Sequence, residues 1–188
     1  MNKLLLIIDP QIDFINGSLP VAGSEQAMND LALYVHDSDG CYVHKVVTAD
    51  HHPFDHCSFA NFGGQWPQHC IHDTVGASIW QALIAPLYLT QGDVTVLYKG
   101  INPKTEEYSI FKNRESRETL LKIIESEKID RIDICGLAGD ICVLDTLKDG
   151  IEILGKEKFH VLTRFAPSLD GGAALADTIS GLDLSSDK

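Results

Sequence analysis

The chain has 188 residues, 44% of them hydrophobic and 22% charged, with a formal net charge of −12. That length suits one domain with a substantial core, so residues 1–188 are expected to form a single unit. The acidic balance excludes nucleic acid and anionic membrane surfaces as electrostatic partners and leaves a small molecule as the expected one.

Residues 4–8 (LLLII) are a continuous apolar run, the pattern of a strand buried on both faces of a parallel sheet, and the run ends at Asp9. It is too short for a signal-peptide core or a membrane span, and a cytoplasmic protein is expected. The five cysteines, Cys41, Cys57, Cys70, Cys135 and Cys142, show no tight spacing, as reduced cytosolic thiols would. Residues 10–23 hold two prolines and two glycines and read as a loop, after which Ser24 caps a helix to about residue 36. A second strand is expected over residues 42–48.

Residues 48–73 contain five of the eight histidines (His51, His52, His56, His69, His72) and no hydrophobic period. A loop of that length in a compact domain is functional or disordered, and Phe54, Phe59, Phe62 and Trp66 argue that it packs. Asp50 and His52, two apart on extended chain, face the same way and can reach one divalent ion. The expected metal ligands are Asp50, His52 and His69, with His56 as a fourth candidate. A structural zinc on Cys57 and Cys70 fits less well, because neither lies in a C-x(2-4)-C pair.

Further along, a short helix over residues 77–84, a strand over 94–98 ending at Lys99, an amphipathic helix over 115–128 and a strand over 131–135 are expected. Residues 136–140 turn into a helix whose first turn holds Cys142. A last strand at 158–162 and a helix at 171–179 precede a frayed SSDK tail. The alternation predicts an α/β domain with a mainly parallel sheet covered on both faces, a three-layer doubly wound arrangement. Asp9, Asp50, Lys99 and the turn before Cys142 each follow a strand, where open α/β sheets bind ligands. A cysteine at a helix start is placed to be reactive, with thiolate favoured by the helix dipole. Burial of Asp9 would raise its pKa and fit it to take the thiol proton, and Lys99 could stabilise the negative charge.

These residues resemble a known family. Asp9 with Asp13-Phe14 behind it, D-x-H-P-x-x-H-x-S-F from Asp50 to Phe59, W-P-x-H-C from Trp66 to Cys70, Lys99-Gly100 followed by Tyr108-Ser109-Ile110-Phe111, and G-L-A-x-D-x-C-V from Gly136 to Val143 are similar to the motifs of nicotinamidase/pyrazinamidase, a branch of the isochorismatase-like cysteine hydrolases. The resemblance implies a Rossmann-like fold and a triad of Asp9, Lys99 and Cys142. It also implies an oxyanion hole from the Ala138 and Cys142 amides, a cis peptide between Leu137 and Ala138, and Phe14 and Trp66 around the substrate ring. The implied reaction is hydrolysis of nicotinamide to nicotinate and ammonia through a thioester, with zinc first and iron or manganese as alternative metals. His51, Gly139 and His72-Asp73 depart from the common pattern, and the segment between His56 and Trp66 is short. A metal-independent hydrolase acting on another amide or an enol ether, and a non-catalytic binding member of the fold, are the other two classes. A homo-oligomer stays open.

Overall fold

The computed structural model describes residues 1–187. Among these, six strands form one parallel sheet: β1 (Lys3–Ile8), β2 (His44–Asp50), β3 (Asp93–Lys99), β4 (Arg131–Gly136), β5 (Phe159–Val161) and β6 (Ser185–Ser186). They lie in the order β3-β2-β1-β4-β5-β6. The order reverses between β1 and β4, which opens a crevice at the carboxyl ends of those two strands.

The alternation of side chains along β1 divides the core. Leu4, Leu6 and Ile8 face α4 (Arg114–Ser126), α5 (Leu144–Leu154) and α6 (Ala173–Leu182), meeting Leu120, Leu147 and Leu175. Leu5 and Ile7 face α2 (Ser24–Asp37) and α3 (Gln81–Leu89), meeting Met28, Leu31 and Leu83. An unbroken apolar run is therefore what a central strand between two helix layers requires.

Element ends shift by a few residues from the sequence expectation, Ser24 is the first residue of its helix rather than the cap, and four differences matter more. A short helix, α1 (Ile12–Ile15), interrupts the first loop. The second strand starts later, at His44, and runs through Asp50 itself. The helix expected over residues 77–84 begins only at Gln81, because the preceding residues run beside the first loop. There Ile12 N–H donates to Ser78 O, Asp13 N–H to Gly76 O and Trp80 N–H to Pro10 O. Part of the expected frayed tail is a strand. Ser185–Ser186 pairs with β5, and the Asp187 carboxylate takes hydrogen bonds from Thr163 and an ion pair from Arg164.

Candidate active site and metal site

Asp9 follows the last residue of β1 with φ at 44°, in the left-handed region that a non-glycine residue seldom occupies. Thr48 holds it there: Asp9 N–H donates to Thr48 O at 3.1 Å, and the Thr48 hydroxyl donates to Asp9 Oδ1 at 2.7 Å. Lys99 ends the edge strand β3 beside Asp50 at the end of β2. Its long side chain spans the sheet top. The Lys99 Nζ lies 2.6 Å from Asp50 Oδ1, 2.8 Å from Asp9 Oδ2 and 3.5 Å from Cys142 Sγ. Cys142 sits in a π-helical turn, Gly139–Val143, that continues into α5. The Leu137–Ala138 peptide before it is cis. The turn passes so close to the following loop that a Cβ on Gly139 would come within 2.3 Å of Ala166 O.

Burial sets the protonation states. It pushes the Asp9 carboxyl up to about 6, against the pull of Lys99 and with help from the Asp50 charge. Burial alone would also raise Asp50, but Lys99 and His52 outweigh it and hold that carboxyl well below its ordinary range. Burial pushes the Cys142 thiol well up; Lys99 opposes this, while Asp9 and Asp50 reinforce it. The helix start therefore does not deliver a resting thiolate, contrary to the sequence expectation. Asp9 Oδ2 faces the Lys99 ammonium at 2.8 Å, and a carboxylate oxygen engaged by one cation keeps a second lone pair for the thiol proton.

Asp50, His52 and His69 each present a ligand atom, all within 4.8 Å of one another. The ring tautomers suit a cation. Nδ1 of His52 is 2.9 Å from Gly100 O and Nδ1 of His69 is 2.8 Å from Pro67 O. Carbonyls only accept, so each Nδ1 carries a proton and the neutral ring leaves Nε2 for a cation, the usual outer support of a metal-binding imidazole. Burial lowers the pKa of the His52 ring, but Asp50, 3.7 Å from its Nε2, outweighs burial and holds that pKa above its ordinary value. Three buried donors of mixed N/O type fit zinc, iron or manganese.

His56 is held differently. Its Nε2 donates to Thr105 O at 3.1 Å, and its Nδ1 faces the Ser58 hydroxyl at 2.7 Å, while its ring lies tilted against His52 with centroids 4.1 Å apart. Both nitrogens have protein partners, and the ring stands outside the Asp50, His52, His69 set, though it forms a second close group with His52 and Glu106. His51 and His72 stack on each other elsewhere.

Phe14, Trp66 and Ala138 line a pocket together with Cys142, Asp50 and His69. Sequence reasoning did not assign Leu19, Glu106, Tyr108 or Leu169 to this wall. Tyr108 stood within a quoted motif, and its hydroxyl accepts from Trp66 Nε1 at 3.0 Å. Leu169 lies beyond every motif and had no signal. Gln11 was also missed. Fully buried, it takes the Asp50 N–H on Oε1 and donates to Asp50 O, extending the pairing of β2 by a side chain.

Residues 3–154 match the isochorismatase domain. Over 186 residues the chain is 31% identical to the nicotinamidase/pyrazinamidase of Mycobacterium tuberculosis, covering 96% of this chain and 92% of that one. Among solved structures it resembles the pyrazinamidase of Pyrococcus horikoshii in complex with zinc, with a TM-score of 0.82, 26% identity, and coverage of 100% and 99%. It also resembles a protein of L. infantum in complex with nicotinate, with a TM-score of 0.83, 28% identity, and coverage of 100% and 92%. A cysteine beside a carboxylate and a lysine at the switch point of an all-parallel sheet, together with these likenesses, leads to one conclusion: the chain belongs to the isochorismatase family of hydrolases.

Proposed function

We propose that the protein is a metal-dependent nicotinamidase of the cytoplasm, hydrolysing nicotinamide to nicotinate and ammonia. The observation that carries this is one pocket lined by Cys142, Ala138, Asp50 and His69 together with the aromatic rings of Phe14, Trp66 and Tyr108, with Asp9 buried behind it and joined to Cys142 through Lys99. A flat heteroaromatic amide fits such a space, with its carboxamide at the sulfur and its ring nitrogen toward the histidines. The similarity to a pyrazinamidase crystallised with zinc and to a protein crystallised with nicotinate supports the same reading.

Asp9 Oδ2 takes the proton of Cys142 as sulfur attacks the carboxamide carbon. The Ala138 and Cys142 amides receive the developing oxyanion, and Lys99 steadies the negative charge on sulfur and carboxylate. Collapse breaks the C–N bond, and Asp9 passes its proton to the departing ammonia. Water then gives a proton to Asp9 and attacks the thioester carbonyl, releasing nicotinate, and the proton returns to the sulfur. A bound metal would orient the pyridine ring and act as a Lewis acid toward its nitrogen. Phe14 and Trp66 hold the ring faces.

Ammonia release from nicotinamide, measured before and after chelation and again after adding zinc, iron or manganese, tests this. Release lost on chelation and restored by metal is the expected result. No release from metal-loaded protein would overturn it.

A further inference from the structure

Glu107 lies outside the cavity wall and outside the ligand set, yet it is buried with a carboxylate oxygen doubly engaged. Glu107 Oε2 accepts from Gly100 N–H at 2.8 Å and from Asn113 Nδ2 at 3.1 Å. Asn113 is itself fixed, because it caps α4 by accepting from Ser116 N–H. On the other side of Gly100, the carbonyl accepts from His52 Nδ1. Gly100 has φ at 65°, and a Cβ there would come within 2.3 Å of the His52 ring, so the backbone passes directly against the imidazole.

Glu107 therefore grips the residue that joins Lys99 to the carbonyl orienting His52. We propose that Glu107 is a positioning residue for the metal site: it fixes Gly100 so that the Gly100 carbonyl holds His52 with its Nε2 bare and aimed at the ion. This rests on the reading of Asp50, His52 and His69 as metal ligands. One oxygen receives both hydrogen bonds, so the role requires an acceptor at that point and not a charge. A glutamine can place its carbonyl oxygen there and reproduce both bonds.

Zinc affinity, measured by competition with a chromophoric chelator on the full-length protein, is the test. Glu107→Ala is expected to weaken zinc about 3- to 10-fold, below the roughly 10- to 100-fold usual for losing a direct outer partner of a metal-bound histidine, because it acts through the Gly100 backbone. It should also change the visible spectrum of the cobalt(II)-loaded protein. Glu107→Gln should keep both near wild type. In a His52→Ala background, Glu107→Ala should have no further effect on zinc, because its action passes through that ring. Asn113→Ala, which leaves the Glu107 carboxylate less restrained, should give a smaller loss and tests the relay if Glu107→Ala does not fold. If wild-type protein binds zinc tightly and Glu107→Ala and Asn113→Ala bind it equally well with an unchanged cobalt spectrum, the positioning role is wrong and the metal site stands. An equal loss in Glu107→Gln, or an undiminished effect of Glu107→Ala without His52, also overturns it. Wild-type protein that binds none of zinc, iron and manganese overturns the metal reading and the inference together.

Discussion

At the residue scale the protein depends on proton placement. Cys142 is held as a thiol by burial, and Asp9, raised to about 6, is ionised at neutral pH with a lone pair available. Below about pH 6 Asp9 is protonated and cannot accept. Initial-rate measurements should therefore show kcat/KM falling about tenfold per unit on the acid side; a flat profile down to pH 5 would contradict the role of Asp9. The same shift has a cost in stability. The folded state holds the Asp9 proton more tightly than the unfolded chain, so Asp9 contributes stability below its ordinary value that is lost as pH rises through about 6. The histidines make a contrasting pair. His69→Ala should strip metal from the purified protein, while His56→Ala should leave the metal-to-protein ratio near wild type, since both His56 nitrogens already have protein partners. Elemental analysis of the two variants decides this. Asp9, Asp50, Lys99 and Cys142 could be picked out from sequence because each was expected at the carboxyl end of a strand or in the turn that follows one. The thiol state of Cys142 could not, since it depends on neighbours brought in by β1, β2 and β3.

At the scale of elements, the turn holding the nucleophile also anchors part of the cavity wall. Asp140 accepts the Leu169 N–H on Oδ1 at 2.9 Å and the Asp170 N–H on Oδ2 at 3.0 Å, and Leu169 lines the cavity. Asp140→Ala frees that loop without touching the sulfur. We expect KM for nicotinamide to rise about tenfold by loss of roughly 1.4 kcal/mol of uniform binding, with kcat within about twofold. A fall in kcat at constant KM would show instead that Asp140 serves the catalytic turn. Nothing in the local sequence ties Asp140 to Leu169, because the contact joins segments 29 residues apart. The late start of α3 has a similar origin. Nothing in residues 77–80 forbids a helix, but backbone donors and acceptors of residues 10–13 claim the segment 76–80 first.

For the whole molecule, the doubly wound sheet supplies the rigidity on which the crevice rests. Leu4 to Ile8 are all fully buried, with alternate side chains entering different helix layers. Leu6→Ala should destabilise the fold by about 3 kcal/mol in urea titration, with little refilling by a close-packed neighbourhood. A change under 1 kcal/mol would mean the core is looser than its burial indicates. This architecture was the most legible part of the sequence, since an unbroken apolar strand and regular alternation of strand and helix patterns permit few arrangements. The strand order was not legible, nor was the β6 pairing, for which two serines carry no β signal.

The Lys99 ammonium, lying between Asp9 and Asp50 and touching Cys142, links two regions that are otherwise separate. Electrostatically it is a shared counter-ion. A cation entering the Asp50, His52, His69 set would draw on the charge of Asp50, weaken its hold on Lys99 and relieve one of the two carboxylates that discourage ionisation of the sulfur. Metal loading and thiol reactivity would then be coupled across the cavity without contact between ion and sulfur. Iodoacetamide should label Cys142, followed by peptide mapping to separate it from the other cysteines, faster in the loaded protein than in the stripped one. Lys99→Met should remove most of that difference. On that reading the ion would do more than hold a ring in place: its presence would be a condition on the nucleophile, and an empty enzyme would resist stray alkylation until the site is filled.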